Sequence, residues 1–318
     1  MKLKVLSLFD GMSCGQIALD KLGFEVDKYY ASEIKENGIK VTQDNFPNTI
    51  QLGDVTKIEY NDGVLFSENG MFEVGEIDIL IGGSPCQNLS IAMKSEHRKG
   101  LEGEKSQLFF EYLRILKEVN PKYFLLENVG GMSKDDKNII TELLGVEPIH
   151  INSKLVSSQL RNRYYWTNIN NGNISQPKDL KIKLNDILRD GYSDREKARC
   201  LLESDSRPLT TPIKMHHRYK STGFNTLIYK NEKHYSDCLK HYNTYFKGLS
   251  AVQIDEKIKR ENIDLSVYDG VRFLYQDEME ILQTVPIGYT KCVNRDEAAS
   301  LLGDGWTVDV IAHIFSHI

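Results

Sequence analysis

Paired cysteines, long apolar runs, repeats and low-complexity tracts are all missing from this chain of 318 residues. Its five cysteines, Cys14, Cys86, Cys200, Cys238 and Cys292, lie far apart with no C-x-x-C pair. That scatter argues against a disulfide framework and against a zinc site, so no metal is expected. No apolar stretch approaches membrane-spanning length, and no membrane association is expected. The start, M-K-L-K-V-L-S-L-F-D, is charged and brief; it reads as a first strand, not a signal peptide, which predicts a cytoplasmic protein. A strong charge of either sign is also lacking: the net charge is −5, which predicts no general affinity for nucleic acid. That mean conceals one patch. From Lys214 to Lys247 seven Lys/Arg stand against two Asp/Glu, interleaved with His216, His217, Tyr219, Tyr229, Tyr235, Tyr242, Tyr245 and Phe246.

The length gives room for a large domain, or a large and a small one, with a proper core. In the first half, short apolar runs alternate with helical spacing, the pattern of a parallel α/β sheet. Strands are expected at 3–9, 26–31, near 50–52, at 77–81 and at 123–126, and helices at 14–22, 34–45 and 108–119. K-L-V-S-S-Q (154–159) and Y-Y-W-T-N (164–168) read as a closing hairpin. From about 168 to 270 the chain turns polar and loses this rhythm, which predicts a second, smaller domain with a less regular core. After Val271 it becomes helical again, and W-T-V-D-V-I-A-H-I-F reads as an apolar helix returning to the first domain.

The chemistry gathers at strand ends. F-D-G-M-S-C-G (9–15) follows a strand and opens a helix, where bare backbone and the positive dipole end favour an anionic group. It lacks G-x-G-x-x-G spacing, so no pyrophosphate site is implied, and a tight structural turn accounts for it equally well. Glu33 stands beyond the second strand and Asp54 beyond the third. Alone, each acid is a helix cap or a solvated loop residue. A turn and two acids on three successive strand ends together favour a nucleoside-bearing cofactor.

I-D-I-L-I-G-G-S-P-C-Q (77–87) places Cys86 on the same rim. A lone thiol is ordinarily a small buried hydrophobe, but the flanking glycines and proline shape backbone more than they fill a core. A nucleophile is the competing reading. F-L-L-E-N-V (124–129) sets Glu127 at the end of another strand, as an acid, a hydrogen-bonding group or a helix cap. Q-L-R-N-R-Y-Y-W (159–166) places Arg161 and Arg163 two apart, on one face of a strand, to meet an oxyanion, a carbonyl or a phosphate, or to make surface salt bridges.

Taken in order, G-G-S-P-C-Q, E-N-V and Q-x-R-x-R resemble the cytosine-5 DNA methyltransferases, over about 1–167 and 271–318. F-D-G-M-S-C-G looks like that family's cofactor loop, and R-F-L-Y-Q-D-E-M-E-I-L-Q-T-V-P-I-G-Y (272–289) like its late motif. R-K-G-L-E-G-E-K-S-Q-L-F-F-E-Y-L-R-I-L (98–116) and L-L-G-D-G-W-T-V (301–308) look closest to the vertebrate de novo type. The resemblance implies a Rossmann-like methyltransferase sheet (1–167, completed by 271–318) and a smaller DNA-recognition domain (168–270). It implies S-adenosylmethionine as cofactor and duplex DNA as partner, a bacterial or phage setting at the nucleoid such as restriction–modification, and allows a homodimer.

Residue by residue, it implies that Cys86 attacks C6 of a flipped cytosine, Glu127 meets the N3 and amino edge, Arg163 holds O2 and Arg161 supports the pocket. Phe9, Asp10, Gly11, Ser13, Cys14, Gly15, Glu33, Ile34, Asp54, Val55, Leu108, Trp306 and Val308 would surround the cofactor. Ser90, Ile91, Met93 and Arg98 would belong to a loop closing over DNA, with Lys214, Arg218 and Lys220 on the phosphates. Two departures stand out: Ser13-Cys14 where the family carries glycines, and Gly305-Trp306 where it carries Gly-Asn. An RNA cytosine methyltransferase and a catalytically silent DNA-binding relative are the competing functions.

Overall fold

The computed structural model describes residues 2–85, 108–202, 211–223 and 225–318. In chain order the strands are β1 (Leu3–Leu8), β2 (Val26–Ser32), β3 (Ile50–Gln51), β4 (Glu59–Asn61), β5 (Val64–Ser67), β6 (Gly70–Glu73), β7 (Ile79–Gly82), β8 (Tyr123–Val129), β9 (Ile149–Asn152) and β10 (Asn162–Thr167). The helices are α1 (Cys14–Lys21), α2 (Glu36–Asn45), α3 (Leu108–Val119), α4 (Lys134–Leu144), α5 (Pro212–Thr222), α6 (Glu232–Tyr245), α7 (Ala251–Glu261), α8 (Gln276–Leu282), α9 (Arg295–Asp304) and α10 (Val308–Phe315).

A mixed sheet of seven strands runs in the order β3-β2-β1-β7-β8-β10-β9. β3, β2, β1, β7 and β8 are parallel, and β10 is antiparallel to both of its neighbours. Strand order reverses between β1 and β7, the place where open α/β sheets leave a crevice at their carboxyl ends. The two-residue period sorts the buried side chains by face. Leu3, Val5, Ile79, Ile81 and Leu125 join the core under α1, α9 and α10, while Leu6, Leu8, Leu80, Phe124 and Leu126 join the core under α3. The amphipathic helix expected at 108–119 is there because Phe109, Tyr112, Leu113, Ile115 and Val119 form its buried stripe.

Three expectations need correction. The closing hairpin pairs β10 with Ile149–Asn152, whereas 154–159 is a 3-10 turn followed by a loop. There the side chains of Ser157 and Gln159 turn away to bond the carbonyl of Leu282. β8 continues three residues past Leu126, because β10 pairs with it as far as Val129↔Arg163. The polar stretch is irregular only in its first part: from Pro212 on, α5, α6 and α7 enclose a core of Ile213, Met215, Tyr219, Leu227, Tyr229, Cys238, Tyr242, Phe246, Ile254, Tyr268 and Val271. The preceding Ile169, Ile174, Leu184, Ala198 and Leu201 pack instead with the sheet. A small antiparallel sheet, β4-β5-β6, was not expected at all.

Candidate active site

The turn after β1 holds three left-handed residues within five: Phe9 (φ 57), Gly11 (φ 62) and Ser13 (φ 60). Left-handed backbone at residues other than glycine is held only where surrounding bonds over-determine it. Here Asp10 does so. Its carboxylate accepts from Ser7 Oγ (2.6 Å), Tyr29 OH (2.8 Å) and Ser13 Oγ. Burial pushes its pKa up to about 6 against those hydrogen bonds. Glu33, just past β2, braces the turn from the other side by accepting from the backbone N–H of Gly11 (2.7 Å), Ile34 (2.8 Å) and Lys35 (2.8 Å).

Beside Glu33 the aliphatic side chain of Ile34 is 70% exposed, and no atom lies within 4 Å of where a Cβ on Gly11 would stand. Asp54 follows β3. One of its oxygens accepts from Thr56 N and Oγ1, both at 2.9 Å, and the other has no protein donor among the described residues. An exposed apolar side chain, a bare turn and a carboxylate thus follow the ends of the adjacent strands β2, β1 and β3. Val55 is buried; Phe9 and Leu108 are half-buried against the same core. Cys14 is a packed thiol, pushed up to about 12 by burial, and Ser13 is fully buried.

Across the switch point, Glu127 lies nine-tenths buried in β8. Arg163 Nε stands 2.6 Å from its Oε1, and Trp306 Nε1 donates to its Oε2 at 3.1 Å. The next residue, Asn128, bonds Ser84 O (3.3 Å) and Oγ (3.1 Å), which pins the Gly83–Pro85 segment to β8. Both oxygens of Glu127 are thus engaged, one by a guanidinium and one by an indole N–H.

Arg161 and Arg163 share one face, as expected, and both reach Cys200, but they otherwise take different partners. Arg161 precedes β10, is 2% exposed, and turns its guanidinium to Leu201 O (3.1 Å), Gly303 O (3.0 Å), Gly305 O (2.7 Å) and Cys200 Sγ (3.2 Å). Burial raises the Cys200 pKa, but the charges of Arg161 and Arg163 outweigh it and leave a net fall. The late motif is the joint that brings Trp306 to Glu127. Glu280 holds the loop at Gly288 N (2.6 Å) and Thr290 N (2.8 Å), and Tyr289 OH reaches Met12 O (2.8 Å) in the turn after β1. Val308 is wholly buried in the core behind Trp306, and Asp304 pairs with Lys35 at 2.7 Å.

On α5, Lys214 pairs with Asp255 at 3.3 Å and Lys220 is exposed; Arg218 is half-buried. The aromatic residues expected to share DNA contact with them are largely elsewhere: His216, Tyr219, Tyr229, Tyr242 and Phe246 are at most 5% exposed. They form the core of this helical segment. Cys86, Ser90, Ile91, Met93 and Arg98 lie outside the described residues. Reading the sequence missed Asn128, Tyr29, Gln159 and Gln283; for the two glutamines, their place inside Q-L-R-N-R and L-Q-T-V was the available signal.

The fold is that of the Rossmann-like methyltransferases. The structure of Entamoeba histolytica methyltransferase EhMeth superposes with a TM-score of 0.67 at 13% identity, covering 100% of this chain and 98% of that one. The family model for C-5 cytosine-specific DNA methylases matches residues 3–318, and the chain belongs to that family, whose methyl donor is S-adenosyl-L-methionine. Among curated relatives, the orphan methyltransferase M.SPRI of Bacillus phage SPR is 34% identical over 203 residues, 60% of this chain and 43% of the relative. The type II methyltransferase M.NgoBV of Neisseria gonorrhoeae is 36% identical over 148 residues, 45% of this chain and 32% of the relative. The aligned part of the chain therefore spans less than half of either relative. Both relatives are prokaryotic or phage proteins, and neither carries the expected nearness to the vertebrate de novo type.

Proposed function

We propose that this protein transfers a methyl group from S-adenosylmethionine to C5 of cytosine in double-stranded DNA. The observation that carries the proposal is the Glu127–Arg163 pair (2.6 Å), set on the switch-point rim beside the Gly83–Pro85 segment that leads to Cys86. The cofactor side fits: Ile34 offers an apolar surface to a flat ring, Asp54 an acceptor, Glu33 a carboxylate at the end of β2 for the ribose, and Gly11 open space. Phe9, Asp10, Ser13, Gly15 and Leu108 line or brace the same side. When bound, S-adenosylmethionine supplies an electrophilic methyl group.

The protein's part is to make C5 nucleophilic. The cytosine must first leave the base stack. Cys86, as thiolate, bonds to C6, and the ring's π electrons move toward C5. Glu127 bonds the N3 and amino edge, where charge develops, and Arg163 holds O2. Arg161 sets the pocket wall. After transfer a base takes the C5 proton, the C5–C6 double bond re-forms and the thiolate leaves.

The helical segment within 168–270 serves as the recognition module, with Lys214, Arg218 and Lys220 toward phosphates, while 1–167 and 271–318 form the catalytic unit. The local likeness of 301–308 to the de novo type is the basis for a homodimer, which sedimentation of the protein alone tests. The prokaryotic and phage relatives support a cytoplasmic, nucleoid-associated role in restriction–modification or phage self-protection.

The test is a cytosine-rich duplex carrying 5-fluorocytosine, incubated with S-adenosylmethionine. The fluorine at C5 blocks the final elimination, so a covalent adduct is expected, and Cys86→Ser abolishes it. No adduct on any such duplex overturns the reading, and an adduct on RNA alone transfers it to RNA. Glu127→Gln is expected to slow single-turnover transfer by roughly 10²- to 10⁴-fold with DNA affinity retained.

A further inference from the structure

The partner of Glu127 that no motif announces is Trp306, which arrives from 179 residues downstream. It stands in the short link between α9 and α10, and its own helix does not fix it. Buried polar side chains clamp the residues on either side. Gly305 O accepts from Arg161 (2.7 Å) and from Gln283 Nε2 (3.2 Å). Thr307 Oγ1 donates to Gln283 Oε1 at 2.9 Å and lies 2.8 Å from Ser153 Oγ. Gln159 Nε2 completes the strut at Gln283 Oε1, 2.9 Å away. None of these five side chains is more than 2% exposed.

The absence of a side chain at Gly83 makes room for the indole. A Cβ on Gly83 would stand 2.8 Å from Trp306 Nε1 and 3.0 Å from Glu127 Oε2. A Cβ on Gly15, in the cofactor turn, would lie 3.6 Å from the far edge of the same ring. The indole therefore spans the distance from the cofactor turn to the carboxylate, with its one polar atom aimed at Oε2. Arg163 alone would hold Glu127 by a single oxygen and leave the carboxylate free to turn about that contact. The second donor fixes both oxygens.

We propose that Trp306 is a positioning residue for Glu127: its indole N–H sets the carboxylate that meets the base, and the Arg161–Gln283–Thr307 strut sets the indole. This rests on the methyltransferase reading. Errors of about 1 Å in such placement cost on the order of 10²-fold in rate.

Trp306→Phe keeps a ring and removes the donor. We expect a dissociation constant for S-adenosylmethionine within about twofold of wild type, by calorimetry, and a single-turnover rate lower by roughly 10- to 100-fold. In a cycle with Glu127→Gln, the double variant should be no slower than Glu127→Gln alone, because Trp306 acts only through that carboxylate. A crystal structure of Trp306→Phe should show the Glu127 carboxylate displaced from its present position. A full-rate variant, additive losses, a loss of rate matched by loss of cofactor affinity, or an unmoved carboxylate would each overturn the proposal. A wild-type protein that forms no adduct with the 5-fluorocytosine duplex instead overturns the underlying reaction, and the crystal structure still decides the role of Trp306.

Discussion

Arg161 carries its charge inside the protein and spends its donors on backbone carbonyls and a thiol, not on a carboxylate. A guanidinium presents a rigid fork of five donors, and an ammonium cannot serve the same acceptors at the same angles. Arg161→Lys is therefore expected to lower the melting temperature, since each buried carbonyl left unpaired costs about 1–3 kcal/mol. Calorimetry at neutral pH checks it; an unchanged melting temperature would show that the carbonyls find other donors. His216 makes the opposite use of burial. It is wholly enclosed, its Nδ1 bonds Tyr229 OH at 2.9 Å, and burial first and then the charge of Lys220 push its pKa down to about 3. The unfolded chain binds a proton there near the ordinary value of about 6.5, so the folded state holds fewer protons below that pH. The neutral ring's contribution is complete above pH ~6.5 and declines steadily as pH falls toward ~3. Thermal unfolding followed from pH 7 to pH 5 should show the helical segment weakening, and a flat curve would refute neutral burial. At this scale the strand-end placement of Glu33, Asp54 and Glu127 was legible in the sequence. The sequence put Trp306 beside the cofactor and showed neither its bond to Glu127 nor the clamp at Gln283, which depend on segments that meet only after folding.

α2 supports the cofactor turn through a position with no side chain. A Cβ on Gly38 would stand 2.5 Å from the carbonyl oxygen of Gly11, and a backbone carbonyl has little freedom to yield. Gly38→Ala should push the turn toward the crevice, with an overpacking cost of about 1–3 kcal/mol and a cofactor affinity roughly tenfold weaker. Titration calorimetry measures it, and wild-type affinity would show that α2 shifts in place of the turn. α6 illustrates the other kind of legibility. Tyr235, Cys238, Tyr242 and Phe246 fall at helical spacing and form its inward stripe. Read as a basic and aromatic patch, those residues pointed to DNA; read by period, they point to a core. Phe246→Ala should cost about 3–5 kcal/mol and unfold this segment first. The β4–β5 hairpin was legible too. Asp62 (φ 47) and Gly63 (φ 80) form its turn, and Asp-Gly is a strong short-range hairpin signal. Its strands are only 3 and 4 residues long, too short to show alternation on their own.

The molecule as a whole is acidic, yet the proposed reaction needs contact with a polyanion, so the charge must be arranged locally. Binding to duplex DNA should weaken steeply with salt, and removing one phosphate contact at Lys220 should reduce the slope of log affinity against log salt by about 1. An unchanged slope would place the DNA on another surface. Unlike α4 and β9, the parallel strands, the helices α1, α2 and α3 and the return of α10 to the sheet were readable from apolar periodicity. The boundary near residue 168 was less so, because the residues from Ile169 to Leu201 look polar in bulk but place single aliphatic side chains under the sheet.

That last helix has a consequence for the order in which the protein is made. α10 lies on α1, and Val308, Val310, Ile311, Ile314 and Phe315 complete the core that Leu3, Val5 and Ile79 begin. On the ribosome, that face of the sheet is therefore covered only in part, by α1, while the intervening helices are translated. The recognition helices, with a core of their own, can settle meanwhile. The strut that seats Trp306 beside Glu127 closes in the same step, so the site is assembled only after the segment from α8 to α10 has been made.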